Sequence, residues 1–244
     1  MPEENEANQA KSAYFEATQK KIRPPDMYRS DKEVGRVYLQ MVVKKHGQVP
    51  LKSGLQRFGK DGEKAVKKEI RSFMDFNVLN AIVASELTRQ KKIDALPLIM
   101  ILKEKRSGEV KARGVAGGHK DRGKIPPEDA TSPTASTEAL YISSAVDAFE
   151  RRFVGLLDIP SSYFHALAGD RINSVVVLEG VLVDLYVQVD PTVASKIHYS
   201  KNGKKHLYAR MNKALHGHIM SGRLFLEHLS GILVDMGFSP NTEP

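Results

Sequence analysis

The chain has 244 residues with 37 Lys plus Arg against 29 Asp plus Glu, a net charge of +8, and no cysteine. A hydrophobic fraction of 41% suffices for a packed core, and the missing thiols exclude a disulfide scaffold, a thiolate metal site and a cysteine nucleophile. No apolar run approaches the length of a membrane span, and the acidic start MPEENEANQAK is unlike a secretory signal.

Residues 1–20 carry a net of −2 and the stretch to about 58 is polar, so 1–58 reads as a leader, partly disordered. From Gly62 the pattern becomes helical. Val66, Ile70, Phe73 and Met74 fall on one stripe, and the helix is expected to stop near Asn77. Residues 96–102 form an apolar run, and the turn Arg106-Ser107-Gly108 joins it to a second strand that Gly114, Gly117 and Gly118 interrupt or end. Residues 89–124 hold eleven basic residues, Arg122 among them, against four acids. This net of +7 is nearly the whole excess of the chain. Such focusing suits a polyanion, nucleic acid or a nucleotide triphosphate; the alternative is a solvated strand face.

A loop rich in Gly, Pro, Ser and Thr follows. Ser136 and Thr137 then cap a helix predicted to run to about Asp147, with Glu138 in its first turn. Residues 153–159 predict a short apolar strand ended by Pro160, then a helical or turn segment. SVVVLEG and LVDLYVQVD predict two more strands. Asn202-Gly203 predicts a hairpin, and the stripe Leu224, Phe225, Leu229, Ile232, Leu233 and Met236 predicts a last helix closed by Gly237 at C′.

Local motifs give no enzyme: G-x-S-x-G, H-E-x-x-H and G-x-x-x-x-G-K-[ST] are all absent. His216, His218 and His228 do not form a usual ligand set and read as surface or packing residues. GGHK reads as a flexible turn. Asp158, at the end of VGLLD, has two readings. It caps the next helix by accepting backbone N–H groups, or it holds a divalent cation, since Mg²⁺ takes one or two carboxylates plus substrate phosphates.

Four blocks, in order, resemble the reverse transcriptase domain of copia-type retrotransposon polyproteins: Lys111-Ala112-Arg113-Gly114-Val115-Ala116, Ser132-Pro133-Thr134, Asp158 to Phe164, and Leu215-His216-Gly217 with Arg223. The resemblance covers about residues 60–238. It implies an α+β fold, a partial right-hand polymerase of fingers and incomplete palm with an antiparallel sheet and packing helices. Residues 59–238 would form that portion and 239–244 a tail. The implied chemistry is RNA-directed DNA synthesis, deoxynucleotidyl transfer by a two-Mg²⁺ mechanism. By resemblance Asp158 is the catalytic, metal-binding aspartate, and the Ile159 carbonyl reaches a metal. Tyr163 matches the aromatic that excludes a ribose 2′-hydroxyl. Lys103, Lys105, Lys111 and Arg113 lie on a fingers-like hairpin and neutralise triphosphate or template, or else are exposed strand charges.

The implied partners are an RNA/DNA template-primer, deoxynucleotide triphosphates, and the downstream palm, thumb and RNase H segments of a polyprotein. No membrane is implied, and the compartment is the cytoplasm, with the nucleus as the alternative. The sequence also departs from the family. No Asp-Asp pair occurs anywhere, Met220 and Gly222 stand at the family's Gln and Pro positions, and Ser162 replaces a small Ala. The expectation is a fragment of the transposable element that does not polymerise DNA alone; the alternative is a catalytically silent, basic nucleic-acid-binding module.

Overall fold

The computed structural model describes residues 47–121, 123–130, 132, 134–155, 157–169 and 174–239. The leader up to residue 46, Arg122, Pro133, Leu156 and the tail from 240 lie outside the described residues. The fold is α+β.

β1 (Val49–Pro50) leads into α1 (Leu51–Asp75). Residues 51–58, which the sequence reading placed in the leader, thus begin this helix. Gly59 breaks its regularity at φ 51° and ψ −126°, a conformation only glycine adopts cheaply. Beyond the break, Val66, Ile70 and Phe73 of the predicted stripe are fully buried, whereas Met74, its fourth member, is exposed. Asn77 ends the segment in the left-handed region, and its Oδ1 accepts from Asn212 Nδ2 at 3.1 Å.

The chain continues through β2 (Leu79–Ile82), α2 (Arg89–Asp94), β3 (Leu96–Glu104) and β4 (Val110–Ala116). It then forms α3 (Pro127–Ala130), α4 (Thr137–Phe149), β5 (Val175–Glu179), α5 (Val181–Val189), β6 (His198–Tyr199), β7 (Lys205–Met211) and α6 (Ser221–Asp235). Among the described residues seven strands form one sheet in the order β1-β3-β5-β7-β2, with β4 on β3 and β6 on β7. The sheet is mixed, not purely antiparallel as expected, because β3 and β5 pair in parallel at Leu96–Val176 and Pro97–Val177. α1 covers one face. The core lies between it and Leu98, Met100, Leu102, Ala112, Leu178 and Leu207. Gly54 and Gly62 let the helix approach, since a Cβ on either would lie 3.0–3.1 Å from the Leu102 side chain.

Two strand predictions fail for distinct reasons. LVDLYVQVD is α5. Its buried residues Leu182, Val183, Leu185 and Tyr186 have helical spacing, but a nearly unbroken apolar run carries no readable period. The described residues 153–155 and 157–159 are non-strand: Phe153 is 105% and Leu157 91% exposed. An apolar run becomes a strand only where an edge is open to it. The outward amides of edge strand β4 are taken elsewhere, Gly114 N–H by Glu69 and Ala116 N–H by the His216 carbonyl. The capped helix behaves as predicted: Ser136 Oγ accepts from Ala139 N–H at 3.1 Å at the start of α4. The β6–β7 hairpin also forms, with Gly203 at φ 74°. α6 buries Leu224 near its start but leaves Ile232, Leu233 and Met236 exposed. No described helix is long and apolar enough to cross a membrane.

Candidate functional site

The β3–β4 hairpin is the site's basic wall. Register sets Lys103 directly opposite Lys111 and Ile101 opposite Arg113. Residues opposed across a ladder share a face, so Lys103, Lys111 and Arg113 stand on the face turned away from buried Leu102 and Ala112. Like charges directly opposite one another destabilise a sheet by a few tenths of a kcal/mol, roughly 0.2–1. Among the described residues, none of the three has an ion-pair partner within 4 Å.

A cavity of about 480 Å³ opens beside edge strand β4. One wall is α1, through Ala65, Lys68, Glu69 and Ser72. The second is the hairpin, through Lys105, Glu109, Lys111 and Arg113. The third is the segment 158–162 with Phe164 and His216. The structure therefore brings Asp158, Ile159, Lys105, Lys111 and Arg113 into one space. Asp158 is exposed and, among the described residues, has no hydrogen-bond partner, so the capping reading fails. The 3-10 turn Ser162–His165 is entered through Ser161 without a side-chain cap. Ser161 sits at φ 53°, and a non-glycine residue in that region costs of order 1 kcal/mol and clusters at functional turns.

Two predicted residues lie off the cavity. Lys103 is on the exposed face of the hairpin. Tyr163 packs partly buried between His216, with centroids 4.8 Å apart, and Phe225 at 5.9 Å. Lys105 is committed to Glu109 at 2.5 Å, leaving Lys111 and Arg113 as the available cations.

Sequence reasoning missed Glu69 and His216. Glu69 Oε1 accepts from Gly114 N–H at 3.0 Å. Burial raises its pKa above the ordinary glutamate value, against the pull of that hydrogen bond, Lys111 and Arg113. Ala65, Lys68, Glu69 and Ser72 follow i, i+3, i+4, i+7, a second helical stripe beside the apolar one, and that signal marks them. His216 Nδ1 is buried without a partner among the described residues. Burial, then Arg113 and Lys111, push its pKa down to about 4, so the ring is neutral. The tight crossing of β4 by residues 215–217 requires glycine. Gly217 has φ 83°, and a Cβ there would clash with the Ala116 carbonyl. His218 is a satisfied core histidine: Nδ1 accepts from Met220 N–H at 3.2 Å and Nε2 lies 3.1 Å from Ser174 Oγ. Arg223 pairs with Glu227 at 2.6 Å. Gly118–Asp121, which takes in most of GGHK, forms a 3-10 turn, and Lys120 Nζ donates to the Ile93 and Ala95 carbonyls.

Asp158 and the Ile159 carbonyl offer two oxygen donors. Glu69 is held by a backbone amide and Glu109 by Lys105. That donor set does not fit a pair of Mg²⁺ ions, which need shared carboxylates, and no step is derived through them. Among the described residues no group of three His, Asp or Glu is arranged to hold a metal. No family model, curated protein or solved structure matches the chain.

Proposed function

We propose that this chain is the fingers and partial palm of a copia-type RNA-directed DNA polymerase, whose basic hairpin and cavity hold the phosphates of a nucleotide or of a template-primer. The observation that carries the reading is that Lys111, Arg113 and Asp158 line one cavity beside the turn bearing Ser161. Two uncommitted cations suit phosphate oxygens, Arg as a bidentate fork and Lys as a point charge. A lone, solvated carboxylate next to them suits the cation that accompanies such a ligand.

The chain alone does not polymerise DNA in this reading, because no Asp-Asp pair accompanies Asp158. Primer extension on an RNA template with Mg²⁺ or Mn²⁺ is expected to give no product; template-dependent product would overturn that statement. The second reading, a catalytically silent nucleic-acid-binding module, is favoured by Lys103, which stands outside the cavity yet opposite Lys111 on the exposed face. Competition separates the two. If a deoxynucleotide triphosphate competes with an RNA–DNA hybrid for the chain, and Asp158→Asn changes the nucleotide's affinity, the polymerase portion stands. If hybrid binding is indifferent to both, the binding module is correct.

A further inference from the structure

We infer that α4 is a docking helix for a second copy of this chain, pairing with its own kind antiparallel about a twofold axis at Ala145. This pairing is independent of what the cavity holds.

Among the described residues nothing covers α4: none of its 13 residues is buried, and all but Asp147 are exposed. A helix this short is marginal in water unless a face of it packs against a partner. Tyr141, Ile142, Ala145, Val146 and Phe149 follow i, i+1, i+4, i+5 and i+8, so they form one apolar stripe. Tyr141 is 70% and Phe149 89% exposed on it.

Shape and charge both fit the stripe to its own copy. An antiparallel twofold at Ala145 sets each residue against the one equally far on the other side of that point. Tyr141 of one copy then meets Phe149 of the second, ring against ring, and the small Ala145 at the centre lets the two backbones approach. The ends match in charge. Glu138 begins the helix, and among the described residues it has no ion-pair partner. Arg151 and Arg152 follow the last turn, fixed there by a Schellman-type cap in which Arg151 N–H donates to the Ala148 carbonyl at 3.3 Å and Arg152 N–H to the Asp147 carbonyl at 2.8 Å. Arg152 is already paired with Asp147 and Glu150, which leaves Arg151 as the available cation. The antiparallel pair brings Glu138 of each copy to these arginines of the other. A parallel pair would set Glu138 against Glu138 and arginines against arginines, so charge selects the antiparallel arrangement. Each ring buries about 150–250 Å² when covered. The whole stripe therefore falls short of the roughly 800 Å² per partner of a standard interface, and the dimer is reversible.

The test is sedimentation velocity of the full chain across the micromolar range, for wild type, Glu138→Arg, Arg151→Glu and the two reversals combined. Expected is a monomer–dimer equilibrium that either single reversal weakens by about tenfold, since two symmetric attractions become repulsions, and that the combined reversal restores. Because the chain has no cysteine, a short bismaleimide should link Ala145→Cys into a covalent dimer, and should not link Ser143→Cys, which lies off the stripe. A wild-type monomer at every concentration would overturn the pairing and leave α4 to another segment or partner. Association that ignores the reversals, or that links Ser143→Cys as readily as Ala145→Cys, would overturn it too, as unspecific adhesion. Circular dichroism and thermal melts matching wild type establish that the variants are folded, and the combined reversal separates lost charge pairing from lost folding.

Discussion

Replacing Gly114 by Ala tests how the site is seated on the core. The backbone at Gly114 is not in the left-handed region, so Ala is conformationally allowed and, in a strand, gains about 0.5–1 kcal/mol over glycine. Packing reverses that sign. A Cβ on Gly114 would stand 3.0 Å from Phe73 Cε2 and closer still to Cζ. Phe73 is fully buried, and its ring is braced edge-on by Phe164 at 5.6 Å and 68°. The ring has no free direction, so the overpacking cost of about 1–3 kcal/mol should exceed the gain and leave a net loss of roughly 1–2. Phe164 lines the cavity, so tripolyphosphate binding should weaken as well. Urea unfolding measures the loss. In a Phe73→Leu background the same Gly114→Ala change should become neutral or stabilising, giving a coupling of about 1–2 kcal/mol. An unfolding midpoint for Gly114→Ala at or above that of wild type would refute this packing argument.

The neutral His216 ring predicts a pH dependence of stability. Its folded pKa of about 4 lies below the unfolded value near 6.5, so the folded state binds fewer protons between them. The contribution is full above 6.5 and lost as pH falls toward 4. Discounted for a half-buried ring, the loss is about 2 kcal/mol. His206 and His218, also lowered by burial, add in the same direction. Urea unfolding at pH 7 and pH 4.5 should show a smaller acid loss in His216→Phe than in wild type; equal losses would contradict the assignment. The exposed apolar surfaces of α4, with Leu140, Ile142 and Phe149, and of the end of α6 predict self-association of the isolated chain. Sedimentation velocity should show concentration-dependent association that Leu140→Glu with Phe149→Glu reduces; a monodisperse wild-type monomer would contradict it.

The elements easiest to read were those with a punctuating residue. Ser136 at a cap, Gly203 in a hairpin and Gly237 beyond a helix each announce a local backbone state that tertiary contacts do not override. The β3–β4 hairpin was legible for the same reason, with Gly108 at φ 81° in its turn. α5 was not legible, because only Asp184 and Gln188 interrupt the apolar run from Val181 to Val189 and its β-branched residues favour the wrong element. Residues 153–159 misled because hydrophobicity cannot reveal that Glu69 and the His216 carbonyl already occupy the neighbouring edge. At the site, Asp158, Lys111 and Arg113 were reached through motif order, whereas Glu69 and His216 come from elements far away in sequence. Only the crossing at Gly217 and the second stripe of α1 bring them in.

The most direct test of the basic wall is the salt dependence of binding to an RNA–DNA hybrid by wild type and by the Lys111→Ala, Arg113→Ala double variant. Each phosphate contact removed lowers the log–log slope by about 0.7–0.9. A steep negative slope is expected for wild type, shallower by about 1–2 in the double variant. A wild-type slope near zero, or the same slope in both proteins, would contradict the claim that these two side chains hold phosphate.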